Sequence, residues 1–322
     1  MKLRIYILII LGLFFVSCTN DSELENEISK IKVDFVVERF DKAVLKAQPK
    51  DLPQLKKAYP FLFSKQVPDS VWVNRINDTL QDMLLTEVNV KYANFKDQKR
   101  DLKQLFQHIK YYDKTFSTPR VITLTNDVDY RNKTIVTDSL VLIALDNFLG
   151  ADHQFYQNIS KYLSANLREG QIITSVAEDY AKRYIFQNKR KTFLDEMIYF
   201  GKILYFKDLM IPKVSDAEKM GYTEDQLNWA IANESAIWSY FIEKELLYST
   251  DNKLHSRFIA DAPYSKFYLQ LDNESPGRLG QYIGWQIVSA YAESTDEDPL
   301  SILQKDSEEL FRKSKFKPKK NG

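Results

Sequence analysis

The chain predicts a mainly helical α+β domain with a small sheet in its N-terminal half. Three observations predict it. Glycines number nine in 322 residues, well below the usual ~7%, so tight turns are scarce and helices are favoured. Short runs rich in Val, Ile and Thr alternate at period two before residue 146. Apolar residues recur at helical spacing from residue 174 onward.

In chain order, the first element is a leader. Lys2 and Arg4 precede a greasy segment, Ile5 to Val16, which closes on Phe15-Val16-Ser17-Cys18. A basic start, a short apolar run and a small residue before a lone Cys form a bacterial lipoprotein signal over residues 1–17. The run falls short of the roughly 20 apolar residues that span a bilayer. Cys18 is the only cysteine, so it forms no internal disulfide and reads as the lipid attachment point. Residues 18–29, polar and acidic, read as a flexible tether, and 30–322 as a single helical domain. The expected location is a membrane surface facing the periplasm, with Thr19 leaning toward the outer membrane by analogy with enteric bacteria.

Lys32 to Phe40 predicts a strand. Gln54 to Phe63, Val71 to Leu85 and Gln98 to Tyr112 predict helices. Arg120 to Thr125 predicts a strand, and Lys133 to Asp146 predicts two more with a turn near Thr137-Asp138. Helices follow at Thr174 to Gln187, Thr192 to Met210, Thr223 to Tyr248, Gly277 to Ser294 and Leu300 to Phe311. Thr223 with Gln226 and Ser301 with Gln304 match the capping-box spacing. The basic terminus, Arg312 to Lys320, reads as a solvated tail or a contact with anionic headgroups.

Charge is balanced. Without Lys2 and Arg4, 43 basic residues of the 45 face 44 acidic ones, which argues against a nucleic-acid partner. Histidines are three, His108, His153 and His255, and the first two are expected on surface turns or helix ends. Asp69-Ser70-Val71, Asp78-Thr79-Leu80 and Asp138-Ser139-Leu140 fit either Asp-Ser/Thr O-glycosylation sites or helix caps.

The helix from Asp195 to Met210 is apolar nearly all round and is expected to be central. Asp195, Tyr199 and Lys202 stand at i, i+4 and i+7. Zinc peptidases of the zincin class carry H-E-x-x-H on such a helix, two His holding the metal and the Glu acting as base. Here the spacing reads D-E-x-x-Y: Glu196 occupies the place of the base, Asp195 and Tyr199 those of the ligands, and Glu234 a plausible third. Acid and phenol make a poor zinc site beside imidazole. The reading is a degenerate zincin-like cleft of Asp195, Glu196, Tyr199, Lys202 and Glu234, with no metal, cofactor or catalytic residue. Lys202 is expected to neutralise Asp195 or Glu234. Gly280 and Gly284, at i and i+4, allow another helix close. Arg278, Tyr282 and Trp285 form either a partner-binding face or helix packing. An atypical hydrolase and a surface glycan binder stay open as alternatives.

Several long blocks carry a resemblance: IALDNFLGADHQFY (143–156), LDEMIYFGKILYF (194–206), GYTEDQLNWAIANESAIWSYFIEKELLYSTD (221–251) and ESPGRLGQYIGWQIVSAY (274–291). With the lipobox, they resemble the gliding-motility lipoprotein B (GldB) family of Bacteroidetes. The resemblance implies a membrane-anchored protein needed for crawling over surfaces, with protein partners in the gliding or associated secretion apparatus. That family resembles in turn a set of predicted zinc-dependent peptidases.

Overall fold

The computed structural model describes residues 23–186, 191–269 and 272–319. The leader, Cys18 and the start of the expected tether lie outside them. The rest of that tether is not loose: residues 23–29 form helix α1. Leu24 and Ile28 stand at i and i+4 beneath its acidic surface, and Ile28 is 2% exposed. Glu25 reaches His108 Nε2 at 2.8 Å and Lys213 at 3.3 Å. The folded body thus begins by residue 23, not at 30. His108, expected near the surface, is buried in mid-helix, where it bridges Glu25 and the Gln104 carbonyl.

Strand β1 is Val37–Arg39, shorter than expected: residues 32–36 precede it without joining the sheet, and α2 (Phe40–Leu45) follows at once. Helices α3 (Leu52–Ala58), α4 (Asp69–Ile76), α5 (Thr79–Lys91) and α6 (Lys96–Tyr112) follow. The predicted helix 71–85 is therefore two, split where Asp78 accepts the Gln81 N–H as N-cap of α5. Strands β2 (Arg120–Leu124), β3 (Thr134–Val136) and β4 (Leu140–Ala144) fall where expected. The sheet order is β1-β2-β4-β3, with β1, β2 and β4 parallel and β3 an antiparallel edge.

The remainder is helical: α7 (Lys161–Ser164), α8 (Gln171–Tyr184), α9 (Phe193–Met210), α10 (Asp216–Met220), α11 (Glu224–Ala232) and α12 (Glu234–Glu243). A π-helical turn (His255–Ile259) leads to α13 (Leu279–Glu293), α14 (Pro299–Ile302) and α15 (Ser307–Ser314). Thr223 and Gln226 form the expected capping box. The predicted helix 223–248 breaks at Asn233, whose amide donates to the Trp229 carbonyl at 2.8 Å. Ser301 is not a cap; Asp298 caps α14 and Asp306 caps α15, which divides the predicted helix 300–311. The basic terminus folds back on the body. Phe316 meets Trp238 edge-on at 5.3 Å, and the Lys319 N–H donates to Glu234.

Buried residues from Val33 to Leu310 form one hydrophobic core. At its centre α9 crosses α13. A Cβ on Gly284 would lie 1.8 Å from the Met197 carbonyl oxygen, and one on Gly201 would lie 2.3 Å from the Gly284 carbonyl. The close approach expected at Gly284 is thus real, and Gly201 is its unforeseen counterpart. The side chains of α2 to α4 (Phe40, Leu52, Phe63, Trp72) stand outside this core as a separate cluster.

Candidate functional site

The five residues of the expected cleft do not converge. Asp195 is the N3 member of a capping box and accepts the N–H groups of Lys191 and Thr192 at 3.1 and 3.0 Å. Glu196, on the next position round the helix, contacts His255 Nδ1 at 3.2 Å. The Tyr199 ring packs edge-on against Phe200. Glu234 is 1% exposed; it accepts from Tyr282 Oη and the Lys319 N–H, both at 2.8 Å. Lys202 is fully buried. Its Nζ donates to the Lys305 carbonyl at 2.5 Å, not to Glu234, so the expected pairing with that acid does not form. Burial pushes its ammonium down to about 8, opposed by the fields of Asp306 and Asp195.

The expected Arg278–Tyr282–Trp285 face is likewise not a surface. Tyr282 and Trp285 are 2% and 5% exposed, and the indole of Trp285 donates to Asp208 at 2.6 Å. Aromatic spacing on α13 marked core. Arg278 has a different role. Its backbone sits in the left-handed region at φ 61°. Its guanidinium donates to the Gly221 carbonyl at 3.0 Å, pairs with Asp261 at 3.4 Å and lies over the Tyr222 ring at 5.2 Å.

A polar cavity of 240 Å³ adjoins Arg278 and is walled by α8, α9, the 130–133 loop and the segment after the π turn. Helix α9 turns Phe200, Ile203, Leu204 and Lys207 toward it, a face distinct from that of Asp195, Tyr199 and Lys202. Helix α8 turns Thr174, Ser175 and Glu178 toward it, at i, i+1 and i+4. That is the H-E-x-x-H spacing, on a helix that nothing in the sequence pattern marks for it.

The cavity is strongly charged. Glu178 keeps 38% of its side-chain surface accessible, because it lines the space. Burial would raise its carboxyl, but Lys207 at 3.0 Å, Lys182 at 3.3 Å and the field of Lys133 outweigh it and hold the group well below the usual carboxylate range. Lys207 is itself buried and also donates to the Lys219 carbonyl at 3.1 Å. Lys133 is half-buried. Burial lowers its ammonium pKa, helped by Lys207 and Arg278 and opposed by Glu178 and Asp261. The arrangement suits a polar guest: cations, the carboxylates of Glu178 and Asp261, and hydroxyls share a small space. Ser175 and His255 both line it, but no hydrogen bond joins them, so no nucleophile–base pair is assembled.

Neither helix offers a zinc ligand set. Position i+4 of the α9 pattern is a tyrosine and position i of the α8 pattern a threonine. Among the described residues no three His, Cys, Asp or Glu side chains converge as a metal requires. Nor, among them, is any helix long and apolar enough to cross a membrane. The Asp-Ser/Thr sites sit at structural positions. Asp69 opens α4 and pairs with Lys56, Asp78 caps α5, and Asp138 pairs with Arg183.

Comparison with curated proteins and with solved structures gives no match. The family described as gliding motility protein GldB matches residues 21–318, which is nearly the whole described body. The chain belongs to the GldB gliding motility family.

Proposed function

We propose that the chain is a lipid-anchored envelope component of the gliding machinery that holds a partner segment in the α8–α9 cavity and does not cleave it. The observation that carries this reading is the cavity wall. Where a zincin-type helix would present two imidazoles and a base, α8 presents Thr174, Ser175 and Glu178, and a lysine engages Glu178. Cations, carboxylates and hydroxyls gathered in a small space support the holding of a polar segment. Cys18, outside the described residues, supplies the anchor, and several acyl chains give stable attachment. The reading places the body on the periplasmic side, beside the gliding apparatus and its associated secretion system.

A photoreactive residue placed at Tyr162, on the cavity rim, tests this in living cells. The expected result is a crosslink to a component of the gliding or secretion apparatus, lost when Glu178→Lys reverses the charge of the cavity floor. Stoichiometric zinc with peptide turnover, abolished by Glu178→Gln or Glu196→Gln, overturns it. The anchor is tested separately: Cys18→Ala protein is expected to leave the membrane fraction, and protease added to intact cells is expected to spare the wild type.

A further inference from the structure

Five basic side chains line the α8–α9 cavity: Lys133, Lys207, Lys219, Arg278 and His255. Four of them have an acid of their own. Lys207 holds Glu178 at 3.0 Å, Lys219 holds Asp208 at 2.8 Å, Arg278 holds Asp261 at 3.4 Å and His255 holds Glu196 at 3.2 Å. Both carboxylates that line the space, Glu178 and Asp261, are thereby engaged. Lys133 is the exception. Among the described residues no hydrogen bond or ion pair reaches its ammonium.

The backbone there is held in place. The Lys133 carbonyl accepts the Ala144 N–H at 2.9 Å, and the hydroxyl of the next residue, Thr134, donates to Asp179 on α8 at 2.6 Å. The charges that act on the Lys133 ammonium are those of Glu178, Asp261, Lys207 and Arg278. All four line the cavity, so the amine faces it. Half-buried, the group is partly stripped of water, and burial favours its neutral form. An amine placed this way without a counter-ion is costly, and an anion beside it restores the charged form.

The charge count selects the anion. One unmatched cation suits one negative charge, whereas a dianion would leave its second charge facing Glu178 and Asp261. The neutral donors do not compete: Thr174, Asn166 and Gln281 already donate to Gln171, Gly221 and Ile259. At 240 Å³ the space lies below the roughly 300–1,000 Å³ of drug-sized sites, so it admits a single side chain or chain end. We propose that the group received here is a carboxylate, from an acidic side chain or the C-terminus of the partner segment, seated on Lys133. This rests on the reading of the cavity as a partner site and names the chemistry that the site takes.

Three probes of one size separate the sources. N-acetylglutamine carries a free C-terminal carboxylate, N-acetylglutamate α-amide carries a side-chain carboxylate, and N-acetylglutamine amide carries neither. Each is titrated into the full chain in detergent micelles at pH 7 and followed by ligand-observed NMR. At least one acid is expected to bind about tenfold more tightly than the neutral amide, the scale of one hydrogen bond to a charged group. Whichever acid does so identifies the source. Lys133→Gln is expected to erase the preference. Equal affinity for all three probes overturns the inference, as does a preference that survives Lys133→Gln or tighter binding of inorganic phosphate than of either acid. The wild-type titration decides alone if the variant does not fold. The two readings fail separately. A crosslink from Tyr162 without the preference keeps the partner segment and removes its carboxylate; the preference without a crosslink keeps the carboxylate site and removes the gliding partner. Glu178→Lys reports on the cavity as a whole, because it breaks the Lys207 pair on the cavity floor.

Discussion

Where α9 crosses α13, there is no room for a methyl group: a Cβ on Gly284 would meet the Met197 carbonyl at 1.8 Å. In the α2–α4 cluster, the rings of Phe40, Phe63 and Trp72 touch at 4.8 to 6.0 Å and still border 300 Å³ of open space. Both regions are apolar, so composition alone does not separate them. The difference lies in what each must hold. The crossing buries Lys202 and Glu234, whose polar atoms are met only if the backbones stay in register, for example Lys202 Nζ on the Lys305 carbonyl. The cluster buries a single carboxylate, Asp41, met by Arg39 and Thr123 at its edge, and leaves an indole N–H unmet. Close packing fixes the crossing, whereas the cluster is packed loosely enough to leave open space beside its rings.

The sharpest way to break this comparison is Gly284→Ala. The added methyl meets backbone, which cannot rotate away as a side chain can, so α9 and α13 must separate. The expected loss is about 3 kcal/mol, at the upper end of overpacking costs, read as a lower denaturant midpoint. A variant with the wild-type midpoint would show that the crossing is loose after all.

Lys202 sharpens the comparison through pH. Its native pKa is about 8 and its ordinary value 10.5. Between those values the unfolded chain binds the extra proton, so stability rises with pH. From pH 8 to 9 the expected gain is about 1 kcal/mol, since one proton's difference is worth about 1.36 kcal/mol for each pH step of one. Above about pH 9 the trend reverses, because Tyr92, Tyr156, Tyr180, Tyr184, Tyr205, Tyr222 and Tyr282 are held protonated by burial and the unfolded tyrosines ionise first. Denaturation midpoints across pH 7–9 check it. Lys202→Met is expected to flatten the rise; an equally steep rise in that variant assigns it elsewhere.

Glu178→Gln comes next. It leaves Lys207, with a side chain 6% accessible, facing a neutral amide. Because Glu178 is partly accessible, the expected cost at neutral pH is only about 1–2 kcal/mol. The carboxylate's contribution is present above its ordinary 4.5 and is lost as the pH falls below it. The gap between variant and wild type should therefore narrow in acid. A gap that stays constant down to pH 3 would mean that Glu178 acts through packing.

Much of this architecture was legible. The strands at 120–124 and 140–144, the long α6, and the buried α9 announced themselves through period and composition. The breaks were not, since apolar spacing runs on through Asn233 and only its side-chain bond to Trp229 interrupts the helix. Helix α1 hid because its two apolar residues, Leu24 and Ile28, sit among acids. The polar cavity was illegible for another reason. Thr174, Ser175 and Glu178 look like an ordinary helix surface, and the groups that face them come from residues 130–133 and 255–281, brought together only by the fold. D-E-x-x-Y resembles a metal motif in spacing alone, and Asp195 is a member of a capping box.

The smallest expected effect is also the most telling. Trp72→Phe removes a buried donor that has no partner and little else, since the ring contact with Phe63 can persist. In a region packed like the α9–α13 crossing, any aromatic substitution would cost stability. In the α2–α4 cluster, losing an unmet N–H is expected to be neutral or to stabilise by up to ~1 kcal/mol, read as an unchanged or higher midpoint. A loss above about 1 kcal/mol in Trp72→Phe would place the cluster in the same class as the crossing, and the contrast between the two regions would fall.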